Sequence, residues 1–125
     1  MGKMTVYHGS YTTVEIPKII KNKNTKDFGT GFYCTIIREQ AERWAKRYDN
    51  GMVNTYTVRL NTNLKILEFK NMTEEWLDFI INCRHGKPHN HDIVIGAMAN
   101  DQINFCTPAA LECLEFVSSQ EVSKS

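Results

Sequence analysis

The sequence contains no uninterrupted apolar stretch approaching the roughly 18 residues that cross a bilayer, and Met1 to Ser10 lack the apolar core of a signal peptide. A cytoplasmic protein with no membrane partner is expected. A surplus of charge is also missing: 15 Lys and Arg stand against 14 Asp and Glu, a formal net charge of +1. That balance provides no global field to hold an anionic polymer, so there is no strong nucleic-acid footprint and any partner must be recognised locally. Cys-x-x-Cys pairs are absent. Cys34, Cys83, Cys106 and Cys113 are widely spaced in a chain large enough to build a core without staples, and they read as reduced thiols. Internal repeats and low-complexity segments are lacking as well. What remains, 125 residues of which 42% are hydrophobic and 23% charged, is the composition of one globular domain. No pattern in it fixes an oligomeric state.

The order of periodic segments gives the fold class. Met4 to Tyr7 is a β-prone run that breaks at His8-Gly9-Ser10, which puts a histidine at a strand end. Val14 to Ile20 contains Pro17, so it is an edge strand or an extended loop. Gly29 and Gly31 then precede a short strand, Phe32 to Thr35. Glu39 to Tyr48 is rich in helix formers, with Ala41, Trp44, Ala45 and Tyr48 on one face. Val53 to Leu60 and Leu64 to Phe69 read as strands that pair antiparallel across the turn Asn61-Thr62-Asn63. Thr73 caps a second helix ending near Arg84, with Trp76, Phe79, Ile80 and Cys83 as its apolar stripe. Asp92 to Met98 reads as a central strand, Gln102 to Thr107 and Glu112 to Val117 as two more, Pro108 to Leu111 as a turn or short helix, and the tail from Ser118 as frayed. Short strands with two helices segregated between them predict an α+β domain.

Four groups of residues could carry chemistry. Tyr7-His8-Gly9-Ser10 and Asp27-Phe28-Gly29-Thr30-Gly31-Phe32-Tyr33 combine an imidazole, a hydroxyl, accessible backbone and aromatic rings. Such a set can bond a carboxamide and a ribose and stack on a planar ring, which suits a nicotinamide nucleotide; taken singly, His8 reads first as a satisfied turn histidine and Tyr33 as a core residue. Cys83, His85, His89 and His91 are of types that ligate zinc, but their spacing matches no chelating knuckle, and a solvated loop with no metal is expected. Lys18, Lys21, Lys23 and Lys26 form a basic tip, read as solvated. Cys34 has no Asp or Asn partner beside it and His8, which argues against a nucleophile. The stripes of Trp44 with Tyr48 and of Trp76 with Phe79 are read as core.

Tyr7-His8-Gly9-Ser10, then Gly29-Thr30-Gly31-Phe32-Tyr33, then the helix Gln40-Ala41-Glu42-Arg43-Trp44-Ala45 resemble the nicotinamide-binding half of the diphtheria-toxin-like ADP-ribosyltransferases, which include the poly(ADP-ribose) polymerases. The chain is most similar to a bacterial family catalogued as domain of unknown function 3990. That family shares the histidine motif, the Asp-Phe-Gly-x-Gly-Phe-Tyr block, the Gln-Ala-x-x-Trp-Ala helix and an Asp-Ile-Val-Ile-Gly strand, here Asp92 to Gly96. The resemblance implies a compact domain of split antiparallel sheets with two main helices that takes NAD as substrate, with no metal, and moves ADP-ribose to an unknown macromolecular acceptor. By it, His8 bonds the ribose next to nicotinamide, Gly9 clamps the carboxamide, Ser10 assists, Gly29 and Gly31 let the backbone approach, and Tyr33 stacks on the ring. The family usually opens a late strand with a catalytic Glu; the corresponding residue here is Gln102, an acceptor without charge. A silent NAD or ADP-ribose binding module, or an interaction protein that keeps only the fold, are therefore alternatives. The family's helical insertion is also missing, since Asn100, Asp101 and Gln102 are consecutive: either the chain is a minimal member or residues are absent at that point.

Overall fold

The computed structural model describes residues 4–19, 29–60, 63–96 and 102–123. Its elements are β1 (Met4–Ser10), β2 (Phe32–Thr35), α1 (Arg38–Ala45), β3 (Asn50–Val58), β4 (Ile66–Phe69), α2 (Glu74–Arg84), β5 (Ile93–Gly96), β6 (Gln102–Phe105), α3 (Pro108–Leu111) and β7 (Leu114–Ser123). The fold is α+β. The strands form one mixed sheet in the order β4-β5-β6-β2-β1-β3-β7, where split antiparallel sheets were expected, and the four-residue α3 makes a third helix. No described helix is long and apolar enough to cross a membrane.

Alternation along β2 shows how the core divides. All four of its residues are buried, because both faces of the sheet are covered there. Phe32 and Cys34 join Val6, Tyr56, Val58, Ile93, Ile103 and Phe105 on one face, closed by Ala110 of α3 and by Leu114. Tyr33 packs with Ile80 and Val94 on the other face, where α2 brings Trp76 and Phe79 alongside. Ala41 and Ala45 of α1 rest on Val53. Each buried aliphatic or aromatic side chain contributes about 1.5–3 kcal/mol, so the first cluster is the main hydrophobic store.

Two glycines set the height of α1. A side-chain carbon on Gly9 of β1 would collide with the Ala41 carbonyl, and one on Gly51 of β3 with the Ala45 carbonyl. Both obstacles are helix backbone, so nothing flexible can yield. The helix begins where the Thr35 hydroxyl accepts the Ile37 amide at 3.1 Å. It ends at Ala45, three residues short of the expected Tyr48, because the chain must already turn to bring Gly51 beneath it. Trp44 is consequently half-buried and Tyr48 is 41% exposed, meeting Tyr11 edge-on at 5.9 Å; neither is the core residue that helical spacing suggested.

The strand expected to pair antiparallel with β3 instead runs parallel to β5, in register from Ile66 with Ile93 to Phe69 with Gly96. α2 is the crossover between them, the usual connection of a parallel pair. It starts at Thr73, whose hydroxyl accepts the Trp76 amide at 3.2 Å, with Glu74 and Glu75 in the first turn. Asp92 sets the register. Its carboxylate accepts the Lys65 amide at 2.8 Å and the Thr107 hydroxyl at 2.7 Å, tying the entrances of β4 and β5 to the cap of α3. These two bonds hold the Asp92 carboxyl below its ordinary pKa.

β7 runs to Ser123, through the residues expected to fray, because β3 supplies nine backbone partners from Val58 to Asn50. Thr55 faces Ser118 while Tyr56 faces Phe116, so Val117 is an extra residue bulged out of β7. Between Val14 and Lys18 the chain bends at Glu15 and Ile16 and forms no strand, in keeping with Pro17.

Gly51→Ala is expected to destabilise the protein by about 1–3 kcal/mol, read in urea unfolding, since α1 must lift from β3; an unchanged midpoint would mean that the helix is not seated there. Asp92 generates a pH dependence. Its lowered native pKa gives stability that is complete above the unfolded carboxyl pKa of about 3.9 and disappears as pH falls through the native value. In melts from pH 7 to pH 3, the Tm gap between wild type and Asp92→Asn should close at the acid end; a constant gap would remove the carboxylate's role.

Candidate functional site

β1 and β2 meet in one register pair among the described residues, Tyr7 with Thr35, whereas β1 and β3 share seven. Past that pair the two strands are joined through a side chain: His8 Nδ1 donates to the Tyr33 carbonyl at 2.6 Å. A carbonyl only accepts, so Nδ1 carries the hydrogen, and in the neutral ring the lone pair is on Nε2. The imidazole also stacks on Phe32, with ring centroids 4.1 Å apart and planes 27° apart. Bond and stack together fix its orientation.

Beside His8 in the ladder, on β3, lies the fully buried Asn54. Its amide nitrogen reaches the His8 carbonyl at 3.1 Å, the Ser10 hydroxyl at 3.2 Å and the Thr12 carbonyl at 3.3 Å. Its oxygen accepts the Val14 amide at 2.9 Å and the Ser119 hydroxyl at 3.0 Å. Ser10 is buried in this network, where it donates to the Thr12 carbonyl at 2.5 Å. Its proton is thus engaged in shaping the turn. Asn54 was passed over in the sequence, although the signal was available: it shares the parity of Tyr56 and Val58, the apolar face of its strand.

Strand parity divides the expected site residues. Tyr7 faces Thr35, and Thr35 faces Gln102, so these three form a row across β1, β2 and β6 on the face that α1 and α2 cover. Gly9 and Tyr33 belong to the same face. Gly9 lies under the Ala41 carbonyl and the Trp44 Cβ. Tyr33 is 8% exposed among Ile80 and Val94, and its hydroxyl donates to the Gly29 carbonyl at 2.6 Å. Gln102 is half-buried at the start of β6. His8 projects to the opposite face with Phe32. The backbones of the expected residues converge, and the side chains of His8 and Tyr33 diverge.

Glycine is required at both positions before β2. Gly29 has φ +82°, and the Asn104 side chain, buried on β6, lies against Gly31 where a Cβ would be; its amide nitrogen donates to the Thr30 carbonyl at 3.3 Å. Asp27, Phe28, Asn100 and Asp101 lie outside the described residues, as do Lys21, Lys23 and Lys26 of the basic tip; Lys18 is exposed.

Cys83, His89 and His91 line a cavity of about 480 Å³ together with Cys106, Lys87, Gly29 and Thr107, while His85 follows α2 as its C-cap. Among the described residues no three His, Cys, Asp or Glu side chains are grouped as metal ligands. The His91 amide donates to His89 Nδ1 at 3.1 Å, and the His89 ring lies 5.2 Å from Phe79. Burial pushes the Cys83 thiol up to about 11 and Cys106 to about 12, so both are protonated at neutral pH. Cys34, fully buried, is raised as well, which disqualifies it as a thiolate nucleophile. None of the four cysteines is in a disulfide.

A family described as "Protein of unknown function (DUF3990)" matches residues 4–106, from the start of β1 to just past β6. No curated protein and no solved structure matches the chain.

Replacing Asn54 by Ala should lower unfolding stability by about 2 kcal/mol or more, because several buried donors and acceptors lose their partner at once. Chemical denaturation of the variant measures this; a loss below half a kilocalorie would show that the turn after β1 holds itself.

Proposed function

The chain belongs to the DUF3990 family, and we propose that it is an ADP-ribosyltransferase-like domain that binds NAD at the open end of the β1/β2 seam and transfers ADP-ribose to a macromolecular acceptor, releasing nicotinamide. The observation that carries the reading is the His8 bond to the Tyr33 carbonyl. It supports the pairing of the His-Gly-Ser strand with the Gly-x-Gly-Phe-Tyr strand that the resemblance implies, with Gln102 one strand away in register with Thr35.

In this reading the bond from the ribose anomeric carbon to the nicotinamide nitrogen breaks, and its electron pair neutralises the pyridinium. The acceptor's nucleophile forms the new bond and gives its proton to solvent. His8 Nε2 accepts a ribose hydroxyl, and the Gly9 backbone meets the carboxamide. Tyr33, buried beneath the site, supports its wall, with Gly29 and Gly31 permitting close approach. Gln102 accepts a second ribose hydroxyl but brings no negative charge to the developing cation. A charge-assisted contact in a water-poor cleft amounts to about 3 kcal/mol of barrier, so slow turnover is expected.

Two features favour a second reading, a module that binds NAD or ADP-ribose without turnover: Gln102 is neutral, and the Ser10 proton is engaged with Thr12. Nicotinamide release by wild type, Gln102→Glu, Gln102→Ala and His8→Ala separates them. The enzyme reading expects slow release by wild type, release at least tenfold faster for Gln102→Glu, and none for His8→Ala. Saturable NAD binding with no release by any variant supports the module. No NAD binding by folded protein at millimolar ligand rejects both and leaves an interaction protein. Tyr33→Phe, which keeps the packing and removes the bond to Gly29, should weaken NAD binding less than His8→Ala.

A further inference from the structure

The cavity of about 480 Å³ at the end of α2 takes no part in the chemistry assigned to the β1/β2 seam, and its volume is that of a site for a small molecule. Its walls are of two kinds. Cys83, Cys106 and Pro88 are uncharged and largely apolar, since burial keeps both thiols protonated at neutral pH. Lys87, His89 and His91 line the same cavity from the loop that follows α2. Among the described lining residues there is no Asp or Glu, and the carboxylate next in the chain, Asp92, is engaged with the Lys65 amide and the Thr107 hydroxyl. The loop is held in place at both ends. Through the left-handed Gly86, φ +78°, the Gly86 amide donates to the Cys83 carbonyl and the Lys87 amide to the Asn82 carbonyl, each at 3.0 Å, so Lys87 leaves a closed helix end. The His89 and His91 rings lie 5.2 Å and 6.1 Å from Phe79 of α2 and 5.5 Å from each other. The His91 amide donates to His89 Nδ1, so the neutral His89 ring carries its proton on Nε2 and is a donor there.

We propose that this cavity binds a small organic monocarboxylate, with the carboxylate on the Lys87 and His89 side and the ring or short chain against Cys83, Cys106 and Pro88. An ammonium and an imidazole donor facing an uncharged wall select an anion that has an apolar body. They also set its charge. One ammonium balances one negative charge, and among the described lining residues no guanidinium offers the fork that grips a phosphate. The site does not depend on the seam being a nucleotide site, and its occupant is a separate ligand.

Calorimetric titration of wild type and Lys87→Gln with benzoate, benzyl alcohol, acetate and inorganic phosphate tests this. Wild type should bind benzoate about tenfold more tightly than benzyl alcohol, which lacks the charge, and than acetate and phosphate, which lack the apolar body. Lys87→Gln should weaken benzoate about fivefold and leave benzyl alcohol unchanged. Lys87 is exposed, so the two proteins should melt together. A second measurement needs no variant: in amide NMR spectra of wild type, benzoate should shift Lys87, His91 and Thr107 and leave His8 unmoved. N-acetylphenylalanine should bind no more tightly than benzoate; tighter binding would replace the small acid by a peptide chain end and overturn the ligand class. Phosphate binding as tight as benzoate would overturn it too. No binding of benzoate by wild type at about 20 mM, equal affinity in Lys87→Gln, or shifts gathered at His8 and reversed by NAD would each overturn the site itself.

Discussion

A sheet whose middle strands meet in one ladder pair depends on whatever else crosses that seam. On one side stand β4, β5, β6 and β2 with α2 against them, and on the other β1, β3 and β7. Beyond that pair the halves are bridged by the core cluster that joins Val6 and Tyr56 to Phe32 and Ile103, by the His8 imidazole on the Tyr33 carbonyl and its stack on Phe32, and by α1, which touches β1, β2 and β3. The same ring that joins the halves is the one the proposed chemistry uses. Its tautomer is set by structure before any ligand arrives, because Nδ1 must donate to keep the seam closed. Only Nε2 can then be the acceptor of the neutral ring, in a geometry already oriented on two sides.

The Asn54 network shows how a strand end with irregular backbone can be made rigid. A backbone leaving a sheet loses its ladder partners, and buried amides and carbonyls must find others. One side chain supplies them here for His8, Thr12 and Val14, and Ser119 secures that side chain from β7. Position along the chain thus matters less than the buried point on β3 to which three separate residues are tied.

Much of the fold was legible because it rests on local periodicity. Ala41 and Ala45 at helical spacing, the Thr73 cap and the apolar stripe ending at Cys83 all stand where the pattern put them. Pairings that depend on distant partners were not. Leu64 to Phe69 was assigned to β3 across a short turn, yet Asp92 takes the Lys65 amide from 27 residues away and selects β5. Ser118 to Ser123 looked too polar to stay ordered, but backbone bonds to β3 are indifferent to side-chain polarity. The two motifs lie on neighbouring strands, with His8 bonded to the Tyr33 carbonyl. Motifs carry no parity, however, and the Tyr7–Thr35 register turns the two side chains to opposite faces. The end of α1 was misjudged for a related reason: Trp44 and Tyr48 fit the spacing, while the seat at Gly51, which ends the helix, lies on another strand.

The bulge at Val117 has a bearing on how the protein behaves in company. β7 is the outer strand of the sheet, ten residues long, without proline or lysine and with an exposed valine in its middle. An uninterrupted rim of that length offers a row of amides and carbonyls onto which another chain can zip. The extra residue twists the strand and shifts the phase of that row halfway along, so a visiting strand in register with one half is out of register with the other. Refolding at high concentration should therefore be limited by chemistry at other surfaces, and a deletion of Val117, by straightening the rim, would turn a closed sheet edge into a nucleus for growth from one molecule to the next.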